Sequence, residues 1–354
     1  MAQPEMTSLE RVLTTLRHRE PDRAPLFLLL TMHGAKELGI SIKDYFSKAE
    51  NVVEGQLRLR ARYGHDCIYT FFYAPVEIEA WGGEVLFFDD GPPNSGAPFI
   101  RSPEDIGRLE PPDIKAAPCL LKVLRAIEML KGKVGDEVPI IGVVMSPFSL
   151  PVMQMGFAGY IELMHEQPEF FSRLMRLNEE FCVEWANAQL EAGATAICYF
   201  DPVSSTTIVP REMYLKTGFV IAKRTLARIK GPTATHLASG RCLPVLEEIA
   251  QTGTAVIGVS AEEDLLELKK VAGGKLTLLG NLNGIEMRRW TSEQAENAVK
   301  NAIAKAGPGG GFILSDNHGE IPWQVTEEVL LVISETARKW GGYPLKWTKD
   351  YAGS

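Results

Sequence analysis

Eight short patches of the 354-residue chain concentrate side chains that could do chemistry. They are Thr31-Met32-His33, Glu77 with Glu79, Ser146-Pro147, and Asp201-Pro202. The second half adds His236 with Ser239-Gly240-Arg241, Ser260 before Glu262 and Glu263, Asn281 with Asn283, and Asp316-Asn317-His318-Gly319. Asp, Asn and Glu present donors and acceptors to the edge of a polar ring, and His can move a proton at a reacting atom. Glu77 and Glu79 lie two apart, so on an extended segment both side chains face one way and would share a polar site. Asp201 before Pro202 has the plainer alternative of capping a turn. His33, between Met32 and Gly34, reads as packing as readily as function. His18 and His165 fall in helical stretches and His65 precedes a strand, so no role is assigned to them. GPGGG at 307–311 has no Lys-Ser/Thr after it and enters a strand, which makes it a turn and not a phosphate loop.

Each patch follows a short β-rich run, at 24–31, 66–73, 139–146, 194–200, 232–237, 254–260, 275–280 and 311–315. Continuous apolar runs such as IIGVV and AICYF suit a parallel sheet buried on both faces. Amphipathic stretches lie between them at 49–63, 168–192, 211–229, 244–252, 264–271, 292–306 and 325–340. Thr291-Ser292-Glu293-Gln294 reads as a capped helix start, and Gly193, Gly231, Gly253 and Gly273 as helix stops. Eight strand–helix alternations describe an α/β protein, a (β/α)8 TIM barrel, in which catalysis belongs at the carboxyl ends of the strands. Every patch named above would then sit on one rim. The expected organisation is a single domain over 1–354. An insertion at about 74–138 is expected to elaborate the mouth, with a helix at 119–131.

Charge and composition exclude several classes. The 37 Lys and Arg against 45 Asp and Glu give a net −8 without a basic run, so no nucleic acid partner is expected. The apolar run at 24–30 is too short to span a bilayer. No apolar h-region precedes the N-terminal charges, so no signal peptide is read there. Five scattered cysteines without CxxC spacing point to reduced thiols in a cytoplasmic protein.

RVLTTLRHREPDRAPLF, VEIEAWGGEV, DPVSSTTIVPREMY, LPVLEEIAQTGTAVIGV, DLLELKK, LTLLGNLN and GGGFILS occur in this order across nearly the whole chain. Together they resemble the uroporphyrinogen decarboxylase superfamily, and more closely its branch of methylcobalamin:coenzyme M-type methyltransferases. The resemblance implies a decarboxylase-like barrel and corrinoid-dependent methyl transfer. It disfavours the decarboxylase itself, whose Met-Arg-Gln-Ala-Gly-Arg motif is LLLTMHGAKE here and whose strand-two Asp falls near Tyr73. Thiol-methylating relatives hold zinc through His-x-Cys after strand five and a Cys after strand eight. Those places read His236-Leu237-Ala238 and Ser315-Asp316-Asn317-His318. A shifted His236/Cys242/His318 zinc site is the alternative, chemically acceptable but not favoured.

Without zinc to make a thiolate, the acceptor is expected to need no such activation. The N5 amine of tetrahydrofolate fits that requirement, and the pterin edge suits Asp and Asn side chains. Asp201, Asn283 and Asp316 are therefore assigned to the pterin edge, Asn281 to N5 and His318 to a proton relay. Glu77, Glu79, His236 and Asn317 complete the substrate-binding set. Methylcobalamin as the donor would arrive free or on a separate corrinoid protein, because the chain carries no DxHxxG-type corrinoid motif. Two other readings compete: a zinc-dependent thiol methyltransferase, and a non-catalytic barrel that binds a corrinoid or another ligand.

Overall fold

All eight anticipated strands form in a computed structural model that describes residues 5–349, six within their apolar runs and the last two reaching one or two residues beyond them. They are β1 (Leu26–Phe27), β2 (Ile68–Tyr69), β3 (Ile140–Met145), β4 (Ala196–Phe200), β5 (Thr233–His236), β6 (Val256–Gly258), β7 (Thr277–Leu282) and β8 (Phe312–Asp316). Every bonded pair among them is parallel, in the order β1-β8-β7-β6-β5-β4-β3-β2. Strands lying beside their sequence neighbours, with helical returns between them, make a (β/α)8 barrel.

β1 and β2 are the two ends of that order, and Asp66 joins them. Its N–H donates to Leu26 O at 2.7 Å, and its carboxylate accepts the Leu26 N–H at 2.8 Å. Arg11 at 2.7 Å and Arg23 at 2.8 Å hold the same carboxylate. A carboxylate thus replaces ladder bonds at a seam where both strands are two residues long.

The period of two along each strand sorts the side chains. Phe27, Tyr69, Val143, Cys198, Leu279 and Ile313 pack inside the barrel, above Val12 of the helix Ser8–Leu16. Ile197 and Tyr199 of β4, Leu278 of β7 and Leu314 of β8 face the helices instead. Thr291 and Gln294 form the expected capping box of Ser292–Ala306, and Gly273, at φ 55°, ends Leu265–Ala272 as read. The 211–229 stretch is two helices, Arg211–Lys216 and Gly218–Leu226, not one. They part where Gly218 packs so close to Ser204 that a Cβ would lie 2.4 Å from its hydroxyl.

The excursion between β2 and β3 holds the helix Val76–Ala80, a ribbon pairing Val85–Leu86 with Asn94–Ser95, and a 3₁₀ turn at Pro103–Arg108. Its last element, the helix Pro118–Val134, covers the expected 119–131 but belongs to the outer layer of the barrel, packed with Val52 and Ile140 in one core. All five cysteines are buried and unbridged. No helix among the described residues is long and apolar enough to cross a membrane.

Candidate functional site

At the carboxyl ends of β4 to β8 lies a cavity of about 410 Å³, lined by Thr207, Ala238, Glu262, Asn283, Asn317 and His318 among others. The loop after β8 is folded by Asp316, whose Oδ2 accepts the N–H groups of His318 at 2.7 Å and Gly319 at 3.0 Å. That turn needs a glycine next. Gly319 has φ 87°, and a Cβ there would lie 2.4 Å from the Phe200 ring. Asn317 ties this loop to the one after β7, because its Oδ1 accepts the Gly284 N–H at 3.2 Å. Asn283 shapes the same neighbour, its Oδ1 accepting from Ile285 and Glu286, each at 3.1 Å.

His236, the last residue of β5, sits beneath. Its ring stacks on Phe200 at 5.3 Å and 16° and occupies the space left by Gly258, where a Cβ would come within 2.4 Å of it. Nδ1 accepts from the Ala238 N–H at 3.0 Å, which leaves the ring proton on Nε2. Ala238 adopts a left-handed φ of 51° in that turn. Burial, and then the neighbouring His318, push the His236 pKa down to about 3, so the ring is neutral and its buried Nε2–H has no partner. His318 is half-buried, is also lowered by burial, and has an unpartnered Nδ1.

Two carboxyls stand beside the histidines. Asp316 is fully buried with Oδ1 unpartnered, and burial raises it to about 7 against its two amide donors. Glu320 binds the Thr31 hydroxyl, four residues beyond β1, and burial together with the charge of Asp316 raises it to about 7 as well. The Tyr69 phenol of β2, unpartnered and within reach of both charges, is raised far above its ordinary value, by burial first. Glu320 was missed in the sequence because the strand-eight patch was read as ending at Gly319. Its signal is a single carboxylate in the otherwise uncharged run Gly319-Glu320-Ile321-Pro322-Trp323.

The structure brings Asn283, Asn317 and His318 to one cavity, with His236 and Asp316 beneath, and sends the other expected residues elsewhere. Asp201 follows the outward parity of Tyr199, and its Oδ1 accepts the hydroxyls of Ser146 at 2.5 Å and Ser149 at 2.7 Å, so it clasps the loops after β3 and β4 together. Glu77 and Glu79 do not share a site. Pro75 begins a helix there, which turns residues two apart roughly 200° from each other. Glu77 is buried against the Met145 N–H at 2.8 Å, and burial raises it to about 8. Glu79 is exposed and accepts the Tyr73 hydroxyl at 2.6 Å.

Asn281 donates to Ser260 O at 2.8 Å and lines a neighbouring cleft of about 400 Å³ with Trp290, Asn301 and Lys305, apart from His318. The structure does not bring Cys242 of the zinc alternative together with the two histidines. Its sulfur lies 3.6 Å from Glu263 in the outer core, and no group of three His, Cys, Asp or Glu among the described residues is arranged to hold a metal.

A curled sheet of eight parallel strands, its two end strands joined by Asp66, with a polar cavity at the carboxyl ends defines a barrel of the kind that carries its chemistry on that face. The uroporphyrinogen decarboxylase (URO-D) family model matches residues 7–340, and the chain belongs to that family. A methylcobamide:CoM methyltransferase of Methanosarcina barkeri is 26% identical over 288 residues, 79% of this chain and 83% of that protein. The uroporphyrinogen decarboxylase of Myxococcus xanthus is 26% identical over 326 residues, 88% of this chain and 91% of that protein. A methyltransferase from Methanosarcina mazei has the same fold, with a TM-score of 0.80 at 20% identity, covering 95% of this chain and 99% of that one.

Proposed function

We propose that the chain transfers a methyl group between a corrinoid and N5 of tetrahydrofolate. The observation that carries this reading is the lining of the 410 Å³ cavity, which contains amides, hydroxyls, a half-buried His and two glutamates but no Lys or Arg. Arg241, which follows the lining residue Gly240, is already paired with Glu262 at 2.8 Å, and Arg288 donates to the carbonyl of Ile285 at 3.0 Å. A sulfonate thiol such as coenzyme M, or a porphyrinogen with its many carboxylates, would enter this cavity without a counter-charge. The pterin ring of tetrahydrofolate is itself uncharged, its two carboxylates sitting on the glutamate tail, and its amide and amine edge matches Asn283, Asn317 and His318. The similarity to a methylcobamide:CoM methyltransferase supports the corrinoid half of the reading.

When bound, the methyl-corrinoid supplies an electrophilic methyl group, which is delivered on a separate protein or as the free cofactor. The residues of this chain orient and manage protons. Asn317 and Asn283 fix the pterin edge, and their own bonds to Gly284, Ile285 and Glu286 keep them from turning away. Asp316 is buried, so it acts by holding the His318 turn and does not touch the pterin. His318, uncharged at neutral pH, can accept a proton at its free Nδ1. Holding both reactants in line contributes several kcal/mol by making the encounter effectively intramolecular.

Calorimetric titration with tetrahydrofolate and with coenzyme M, followed by methyl transfer from methylcobalamin to each, tests the reading. Binding and methylation of tetrahydrofolate, with coenzyme M inert, is the expected result. Methylation of coenzyme M alone would overturn it, and folate binding without turnover would leave a non-catalytic barrel.

A further inference from the structure

We propose that the barrel interior holds a second binding site, for a short-chain alcohol of two or three carbons seated beneath His236. The site is a cavity of about 70 Å³, distinct from the one at the mouth and independent of which acceptor takes the methyl group. Every strand contributes to its wall, so it lies inside the ring. Layers of branched side chains ordinarily fill such a barrel. Here Cys67, Ala196 and Ala234 stand two residues before Tyr69, Cys198 and His236, share their inward parity and fill little of the space. Val12 and Leu16 of the first helix close the amino end.

At the other end stand Tyr69 and His236, the last residues of β2 and β5. Tyr69 is 2% and His236 1% exposed, both line the cavity, and neither the phenol hydroxyl nor the ring Nε2–H has a partner. The Cys198 thiol beside the phenol is only a weak acceptor. Buried polar groups are ordinarily paired, and a void leaves its walls without contacts, so one occupant with an apolar body and an oxygen at its head answers both deficits. A cavity of about 150 Å³ admits benzene, so one of roughly half that volume takes about three or four heavy atoms. A hydroxyl suits the head, because it can accept from the His236 N–H and donate to the phenol oxygen. An ion is disfavoured, because no charged side chain lines the space. Nδ1 of His236 accepts the Ala238 N–H at 3.0 Å, and Ala238 lines the mouth cavity. An occupant held at Nε2 therefore braces the ring from below and ties the interior to the mouth wall.

Titration with 1-propanol, followed by NMR of protein labelled at its alanine methyl groups, tests the site without folate or corrinoid. The signals of Ala196 and Ala234 should shift and saturate, with a Kd in the millimolar range expected of so small a ligand. 1-Hexanol, too long for the space, should leave them in place. Ala234→Val fills part of the cavity with a side chain that suits a strand, and should weaken 1-propanol about tenfold or more, read at Ala196. Tyr69→Phe keeps the walls and removes one hydroxyl. It should weaken 1-propanol about threefold or more and leave the uptake of xenon, read at the same signals under pressure, unchanged. Circular dichroism checks that both variants fold, and Tyr69→Phe alone decides the matter where Ala234→Val does not.

Saturable binding of 1-propanol that Ala234→Val abolishes and Tyr69→Phe weakens is the expected result. Entry of xenon without 1-propanol would show an empty packing void and overturn the proposal, as would entry of neither. An equal response to 1-hexanol, a shift that survives Ala234→Val or an affinity unchanged in Tyr69→Phe overturns it too. So does a crystal soaked in 1-propanol that shows only water between Tyr69 and His236.

Discussion

Gly258→Ala tests whether the placement of His236 is set by space. The new Cβ would stand 2.4 Å from Cδ2, 2.7 Å from Cγ and 2.8 Å from Nε2 of the His236 ring. Ordinary carbon contacts are about 3.5–4.0 Å, so the ring must move by about 1 Å or more. It has little room, because Phe200 stacks against one face at 5.3 Å. Overpacking of this kind costs about 1–3 kcal/mol, and breaking the 3.0 Å bond from the Ala238 N–H adds about 0.5–1.5 kcal/mol. A loss of about 2–4 kcal/mol is expected. Gly132→Ala serves as the control, since nothing lies within 4 Å of its Cβ position in the helix Pro118–Val134. That change should stabilise by about 0.5–1 kcal/mol. Urea unfolding of both variants, with calorimetric titration of tetrahydrofolate, measures the effect. If Gly258→Ala unfolds within about 0.5 kcal/mol of wild type and binds folate unchanged, the argument that steric confinement places this histidine is wrong.

Asp66→Ala should cost about 3 kcal/mol in urea unfolding, because it leaves the buried Arg11 with Asp22 alone and removes the side-chain bond across the β1–β2 seam. A loss below about 1 kcal/mol would mean that the seam is held by packing. Stability should peak on the acid side of neutrality. His33 and His236 have folded values near 3, so their contribution is lost as pH falls below the unfolded His value. Glu77 near 8, and Asp316 and Glu320 near 7, have raised folded values, so their contribution is present at low pH and is lost as pH rises through the range from about 4 to 8. Thermal melts should therefore give a higher Tm near pH 5.5 than near pH 8.5, and the reverse order would refute these shifts. Treatment with a chelator should leave methyl transfer intact, since Cys242 is turned away from His236 and His318. Activity lost on chelation and restored by zinc would overturn that.

The fold was legible because each level of the sequence gave the same answer. Apolar runs such as IIGVV marked the strands, Thr291 with Gln294 marked a helix start, and the helix 49–63 forms with those limits, Ala49–Tyr63. Local chemistry misled where a tertiary contact competed with it. The 211–229 stretch has one helical period, but close packing of Gly218 on Ser204 divides it. Glu77 and Glu79 were read on an extended segment, and Pro75 opened a helix instead. The closing role of Asp66 had no local signature, since its partners Arg11, Arg23 and Leu26 are 40 to 55 residues away.

The site was harder to read because proximity to a strand end is only half of the criterion. Parity along the strand supplies the other half. On β4, Cys198 faces the barrel interior while Ile197 and Tyr199 face the helices, so Asp201 goes outward with the odd-numbered residues, to Ser146 and Ser149. On β5, Ala234 packs against the interior core, and His236, two residues later, shares that parity and lies beneath the mouth. The apolar members of each run therefore already separate Asp201 from His236, although both end their strands. At the ends of β7 and β8 the rule stops working, because the side chains of Asn283, Asn317 and Asp316, the last residue of β8, are set by the loops they bond. Asn283, Asn317 and Asp316 each bond to a backbone N–H nearby, and those bonds direct the chain. A polar residue at such a place builds the cavity and lines it at once. Substitution there will change shape and affinity together.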